Sequence, residues 1–183
     1  MGHVSFGMLV SVDGYVAGPP GGAQLPMFGD ELHRHFNELQ RTTALSLYGR
    51  DLYSVMRYWD DDDQARPDAQ AEFAVVWRDT PKVVVSTTLS EVGPNASLVS
   101  DDVDAELRRL VDETDGEIEV GGPMLAATLT RLGLVDEYRL YVRPAVLGGG
   151  KPFFAAGTSL ALRPLGTETL PDETVLLRYE PER

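Results

Sequence analysis

Three short stretches carry residue types that could hold an anion. They are Tyr48-Gly49-Arg50, Ser86-Thr87-Thr88 and Val120-Gly121-Gly122-Pro123. Each follows an apolar run that reads as a strand and precedes a helix, and the carboxyl ends of parallel strands form the ligand crevice of an open α/β sheet. A helix start offers free backbone N–H groups and a positive dipole end, which suits a pyrophosphate. Glycine at 121 and 122 removes the Cβ atoms that would keep such a ligand off the backbone. Arg50 adds a cation whose planar fork matches phosphate oxygens. Ser86 and Thr87 add hydroxyl donors. Each signal has a plain alternative: a Gly-Gly turn, a surface arginine, a polar loop.

Other chemistries find less support. No Gly-x-Gly-x-x-Gly follows a strand, and no Gly-x-x-x-x-Gly-Lys-Ser/Thr occurs. Gly148-Gly149-Gly150 follows Val146-Leu147, but no helical stripe comes after it, so it is not a phosphate loop of that kind. There is no Gly-x-Ser-x-Gly elbow. His33 and His35 stand two apart and point to different sides of a helix, so they read as surface histidines rather than metal ligands, and no metal site is expected. Asp60-Asp61-Asp62-Asp63 reads as a solvated loop, because adjacent carboxylates do not converge on one ion.

The elements that must position these residues follow from apolar spacing. Val4 to Val12 is a buried strand ended by Asp13-Gly14. Gly18-Pro19-Pro20-Gly21-Gly22 is a loop. Asp30 is placed to cap a helix whose inner face is Leu32, Phe36 and Leu39. Ala44 to Tyr48 is a strand, and Leu52, Val55, Met56 and Trp59 form a helical stripe after Arg50. Val83 to Val85 is a strand. Ser100 is expected to cap the next helix, with Val103, Leu107, Leu110 and Val111 inward. Glu117 to Val120 is a strand, and Pro123 suits the first turn of a helix that buries Leu125, Leu129 and Leu132. Tyr138, Leu140 and Val142 alternate with Arg139, Tyr141 and Arg143 as a half-exposed strand. Leu160 to Leu165 and Thr174 to Tyr179 close the chain as an antiparallel pair. Alternating strands and helices, then strands alone, predict one α/β domain with a mixed sheet.

Composition sets the outer bounds. The 183 residues carry a net charge of −13, which repels nucleic acid and anionic lipid. Cysteine is absent, which excludes disulfides, zinc-thiolate sites, iron–sulfur clusters and a cysteine nucleophile. No apolar run reaches the roughly 20 residues of a membrane helix, and the first residues have no secretory pattern. The expectation is a soluble cytoplasmic protein with no nucleic-acid or membrane partner.

Taken in order along the chain, these motifs resemble a known group. Ser11-Val12-Asp13-Gly14-Tyr15-Val16-Ala17 is similar to the Ser-x-Asp-Gly-x-x-Ala motif of the dihydrofolate-reductase-like fold. Gly49-Arg50 resembles the pair that opens the second strand–helix turn there, and Gly121-Gly122-Pro123-Met124-Leu125 resembles its cofactor turn. The run from Arg143 to Phe154 resembles the Pro-x-x-Leu-Gly-x-Gly-x-x-Phe signature of stand-alone relatives of the riboflavin-biosynthesis reductase C-terminal domain. The likeness extends from about Val4 to Tyr179.

The resemblance implies a three-layer fold, with a mostly parallel sheet and antiparallel C-terminal edge strands, in one domain over residues 1–183. It implies a homodimer that uses NADPH to reduce a pteridine-like or aminopyrimidine-like small molecule, as 5-amino-6-(5-phosphoribosylamino)uracil reductases do. Carried over by position, Gly49 and Arg50 hold cofactor phosphates, with Arg50 near the 2′-phosphate. Ser86 and Thr87 flank the adenosine, and Gly121, Gly122, Pro123, Met124 and Leu125 cradle the pyrophosphate. Val16 and Ala17 approach the nicotinamide, and Asp13 is the catalytic carboxylate at the acceptor ring. Two positions depart from the riboflavin reductases. Tyr15 stands near their lysine, and the acidic run 60–63 stands where they carry a basic segment. A catalytically idle, dimeric dinucleotide-binding protein on the same scaffold is the competing expectation.

Overall fold

β-Branched and aromatic runs build the centre of the molecule. The computed structural model describes residues 1–61 and 65–182. Its main sheet has eight strands: β1 (His3–Ser11), β3 (Thr43–Gly49), β4 (Lys82–Val85), β5 (Ala96–Val99), β6 (Glu117–Gly121), β7 (Glu137–Arg143), β9 (Leu162–Leu170) and β10 (Thr174–Pro181). Their spatial order is β5-β4-β3-β6-β1-β7-β10-β9, with β2 (Tyr15–Ala17) and β8 (Lys151–Pro152) paired separately. From β5 to β7 every pairing is parallel, and β10 runs antiparallel to both β7 and β9. This is an α/β three-layer fold of the dihydrofolate-reductase type.

The period of two along each strand sorts side chains between two helical layers. Val4, Phe6 and Val10 of β1, Leu45 and Leu47 of β3, and Ile118 and Val120 of β6 face one side. There they meet Leu107 and Val111 of α4 (Val103–Glu113) and Leu125, Ala126 and Leu129 of α5 (Pro123–Arg131). The other side carries α1 (Asp30–Thr42) and α3 (Asp68–Asp79). Asn37 ties these two helices by donating to Ala69 O at 3.0 Å and to Glu72 Oε2 at 2.9 Å. Trp77 of α3 is fully buried against Tyr48, to whose hydroxyl it donates at 3.2 Å.

Several local expectations are corrected. Asp30 is the first residue of α1 rather than its cap; Gly29 takes the cap position and its N–H donates to Asp172 Oδ2 at 2.7 Å. Ser100 does not cap α4. Its hydroxyl bonds Asp101, and Asp102 holds the cap in a left-handed conformation. His33 is buried, packed edge-on to Trp59 and Phe73, so it is an aromatic-core residue and not a surface histidine. α2 (Arg50–Met56) gives way to a 3₁₀ turn over Arg57–Asp60, and Val55 is exposed, so the stripe from Leu52 to Trp59 is not one buried face. Tyr141 and Arg143 are buried: α1 covers Tyr141 with Leu32 and Phe36, and Arg143 is enclosed by Asp172 O at 2.6 Å and Met27 O at 3.2 Å, to which it donates. α3 and β5 had no counterpart in the sequence reading. Asp62 and Asp63 of the acidic run lie outside the described residues.

Beneath α1 the sheet carries charge. Glu137 is buried and takes Arg139 at 3.0 Å and Arg178 at 2.5 Å. Burial pushes its carboxyl up, but the two guanidiniums outweigh burial and hold it at about 2. Glu119 lines a hollow of about 40 Å³ with Gly7, Leu39, Thr43 and Tyr141. Burial pushes it to about 7, against the pull of Arg139. The folded state therefore holds a proton between the ordinary glutamate range and pH 7 that the unfolded chain releases, so stability falls as pH rises through that window. Glu119→Gln should match the wild type at pH 5 and exceed it by about 1–2 kcal/mol at pH 8. Urea unfolding at the two pH values checks this; an equal difference at both would contradict it.

Candidate dinucleotide groove

The carboxyl ends of the parallel strands open into a groove of about 580 Å³. One wall is the start of α2, with Gly49, Arg50, Asp51, Leu52 and Val55. The opposite wall is the β2–β8 ribbon, with Val16, Ala17 and Lys151. Gly122, Pro123, Met124 and Leu125 complete it at the start of α5, and Met8 and Val85 line its apolar part. The chain enters α5 through Gly122 at φ +103, a conformation that side chains resist. Pro123 has no N–H to strand at the first position, and the first helical bond runs from Ala126 N to Gly122 O. The N–H groups of Met124 and Leu125 thus have no intrahelical acceptor and sit at the groove.

The polar groups of the first wall form a chain. Arg50 Nη1 donates to Thr88 Oγ1 at 2.9 Å, while its Nε and Nη2 reach Asp51 Oδ1 at 3.2 and 3.1 Å. Lys151 Nζ reaches the other Asp51 oxygen at 3.2 Å from across the groove. Lys151 first, then Arg50, hold the Asp51 carboxyl below the usual carboxylate range.

Of the residues singled out in the sequence, Val16, Ala17, Gly49, Arg50, Gly122, Pro123, Met124 and Leu125 meet in this groove. Gly121 lies just below it at the end of β6, against the Tyr48 ring. Ser86 is buried and turned to its own loop, where its hydroxyl accepts the N–H groups of Thr88 at 3.2 Å and Leu89 at 3.1 Å. Thr87 is exposed and does not line the groove; Thr88 is the residue of that loop that reaches Arg50. Asp13 also stands outside the lining. Its oxygens accept Leu147 N–H at 3.0 Å and Gly148 N–H at 2.7 Å. A hydrogen bond from Ser11, then that from Leu147, hold its carboxyl down at about 2. It therefore stays ionised at any working pH and ties the loop after β1 to the glycine run.

Sequence reasoning missed Met8, Asp51 and Lys151, and within Ser86-Thr87-Thr88 it gave the hydroxyl contact to Ser86 and Thr87 rather than to Thr88. Lys151 had a signal in its triple glycine, but only the pairing of β8 with β2 brings it to the wall. Among the described residues no group of three or more His, Asp or Glu is placed to hold a metal ion. Among the described residues, too, no helix is long and apolar enough to cross a membrane. A second hollow, of about 670 Å³, lies at the opposite end of the sheet among His3, Asp136, Arg163 and Glu180. Its lining includes neither a helix start nor glycine backbone, the features that make the first groove a candidate anion site.

Residues 3–176 match the model of the RibD C-terminal domain. The chain belongs to that family. YyaP of Bacillus subtilis (strain 168), an uncharacterized protein, is 28% identical over 174 residues, which cover 94% of this chain and 91% of YyaP. A protein from Shewanella sp. PV-4, solved as a candidate riboflavin biosynthesis protein, superposes with a TM-score of 0.74 at 22% identity over 99% of both chains. Dihydrofolate reductase from Enterococcus faecalis, solved with NADP(H) and RAB-propyl, gives a TM-score of 0.67 at 12% identity, covering 99% of this chain and 97% of the other. The RibD C-terminal domain family is reductase-like, and in this member the matched segment spans both walls of the groove.

Proposed function

We propose that the protein is an NADPH-dependent reductase that delivers hydride to a pteridine-like or aminopyrimidine-like heterocycle. The observation that carries this reading is the groove itself: an open helix start, a guanidinium and an apolar ribbon on facing walls, in a chain of a reductase-like family. The helix start and Gly122 suit a diphosphate. Arg50 suits the 2′-phosphate, and the adenosine lies beyond it toward Ser86-Thr87-Thr88. Val16, Ala17 and Met8 give the nicotinamide a water-poor seat. Bound there, the cofactor supplies the hydride, and the protein orients it and excludes water. We propose a homodimer as the working form, which sedimentation tests.

The test is the consumption of NADPH at 340 nm with a panel of pterins, folates and aminouracils, alongside NADPH titration by fluorescence. Binding without turnover on any acceptor would favour the catalytically idle reading, and no binding would sink both. Asp13 carries its own prediction. Were it only a contact to the acceptor ring, Asp13→Asn would lower turnover and spare cofactor affinity. Its bonds to Leu147 and Gly148 give it a latch role instead. An amide facing one of those N–H groups loosens the loop, so turnover and NADPH affinity should both fall, by about threefold or more in Kd. Turnover lost with Kd intact would return Asp13 to the ring.

A further inference from the structure

Both cations that line the groove, Arg50 and Lys151, are bound to one carboxylate. Asp51 stands on the α2 wall, and its two oxygens divide the work: Oδ1 takes Arg50, and Oδ2 takes Lys151 from the facing ribbon. The Asp51–Lys151 pair therefore spans the groove from wall to wall. A ligand laid along the start of α5 passes under this pair or breaks it. All three side chains are about half exposed or more, 50% for Arg50, 62% for Asp51 and 44% for Lys151. Ion pairs this wet are weak and exchange readily. Elsewhere the protein is strongly acidic, so two cations gathered at one mouth are a local exception to the net charge of −13.

We propose that Asp51 is a built-in stand-in for the ligand's phosphate charge. In the free protein it holds Arg50 and Lys151 over the groove, and on binding it yields both to the dinucleotide. Lys151 is then a second phosphate contact, reaching in from the ribbon. Asp51 is a positioning residue whose negative charge opposes the ligand it prepares for. This rests on the dinucleotide reading above.

The arrangement demands effects of opposite sign from the two partners of one ion pair. Lys151→Gln should weaken NADPH and NADH alike, by about fivefold or more. Asp51→Asn should tighten both, by about threefold, because it frees the cations and removes a repelling charge. Isothermal titration of each cofactor into the full chain measures this. Glu168→Gln, on the exposed edge strand β9, removes the same charge far from the groove and should leave Kd unchanged. An equal tightening in that variant would reduce the Asp51 effect to net charge and overturn the inference. So would weakening by Asp51→Asn, which would make the ion pair a support that the ligand needs intact. If the wild type binds and the two signs agree, this inference alone fails. If the wild type binds neither cofactor, the functional reading fails and takes the inference with it.

Discussion

Arg50→Ala is expected to weaken NADPH by about tenfold or more while leaving NADH nearly unchanged. The guanidinium is anchored at one end by Thr88 at 2.9 Å, which leaves the rest of its fork to turn from Asp51 to a ligand. A hydrogen bond between charged groups is stronger than a neutral one and is lost whole when the side chain is cut back. Only the 2′-phosphate distinguishes the two cofactors, so a contact to that group must show as a ratio. A contact to the shared diphosphate would weaken both equally, and that result would move Arg50 to the position assigned to Lys151. Folding should be untouched, because Arg50 is half exposed and its partners lie on the surface. Titrating both cofactors into wild type and variant, with thermal unfolding as the control, decides between these outcomes.

How much of this was legible in the sequence depends on how local each cause is. β1, β3, β6 and α5 are set by runs whose apolar residues are neighbours or one helical turn apart, and the structure has them within a residue or two of the expected bounds. The groove followed from them, since strand ends fix where helix starts meet. α3 was hidden because two of its four buried residues, Ala69 and Ala74, are small and give little apolar contrast beside Phe73 and Trp77. β5 has four residues, and none of them is fully buried. The burial of His33 depends on Phe28, Trp59 and Phe73, which come from three separate segments. Lys151 and Asp51 stand 100 positions apart, and nothing near either one announces the other. Asp13 was visible as a turn residue, but the N–H groups it accepts belong to a loop 134 and 135 positions away. Local chemistry pointed to the floor of the site, and long-range closure supplied its second wall.

That closure can be broken at one atom. Gly150 has φ +122, and a Cβ built on it would lie 2.1 Å from Ala17 O and within 2.9 Å of the Gly18 backbone. The obstacle is main chain, which cannot rotate away as a side chain can. Gly150→Ala must therefore push the glycine run off the loop after β1 and pull Lys151 from its pairing with Ala17. Strain of this kind costs about 1–3 kcal/mol, or roughly 2–10 °C in Tm for a chain of this size. The functional loss should be larger in proportion, because Val16, Ala17 and Lys151 form one whole wall of the groove. NADPH affinity should fall by about tenfold or more, since preorganised geometry is what the wall contributes. Gly148→Ala is the matched control: its φ is +71, but a Cβ there meets nothing within 4 Å. It bears the left-handed backbone cost of about 1–2 kcal/mol without the clash, so it should lose stability and keep most of its cofactor affinity. Measuring Tm and Kd for both variants separates backbone strain from wall displacement. If the two alanines behave alike, contact between the ribbon's backbones is not what holds the groove open.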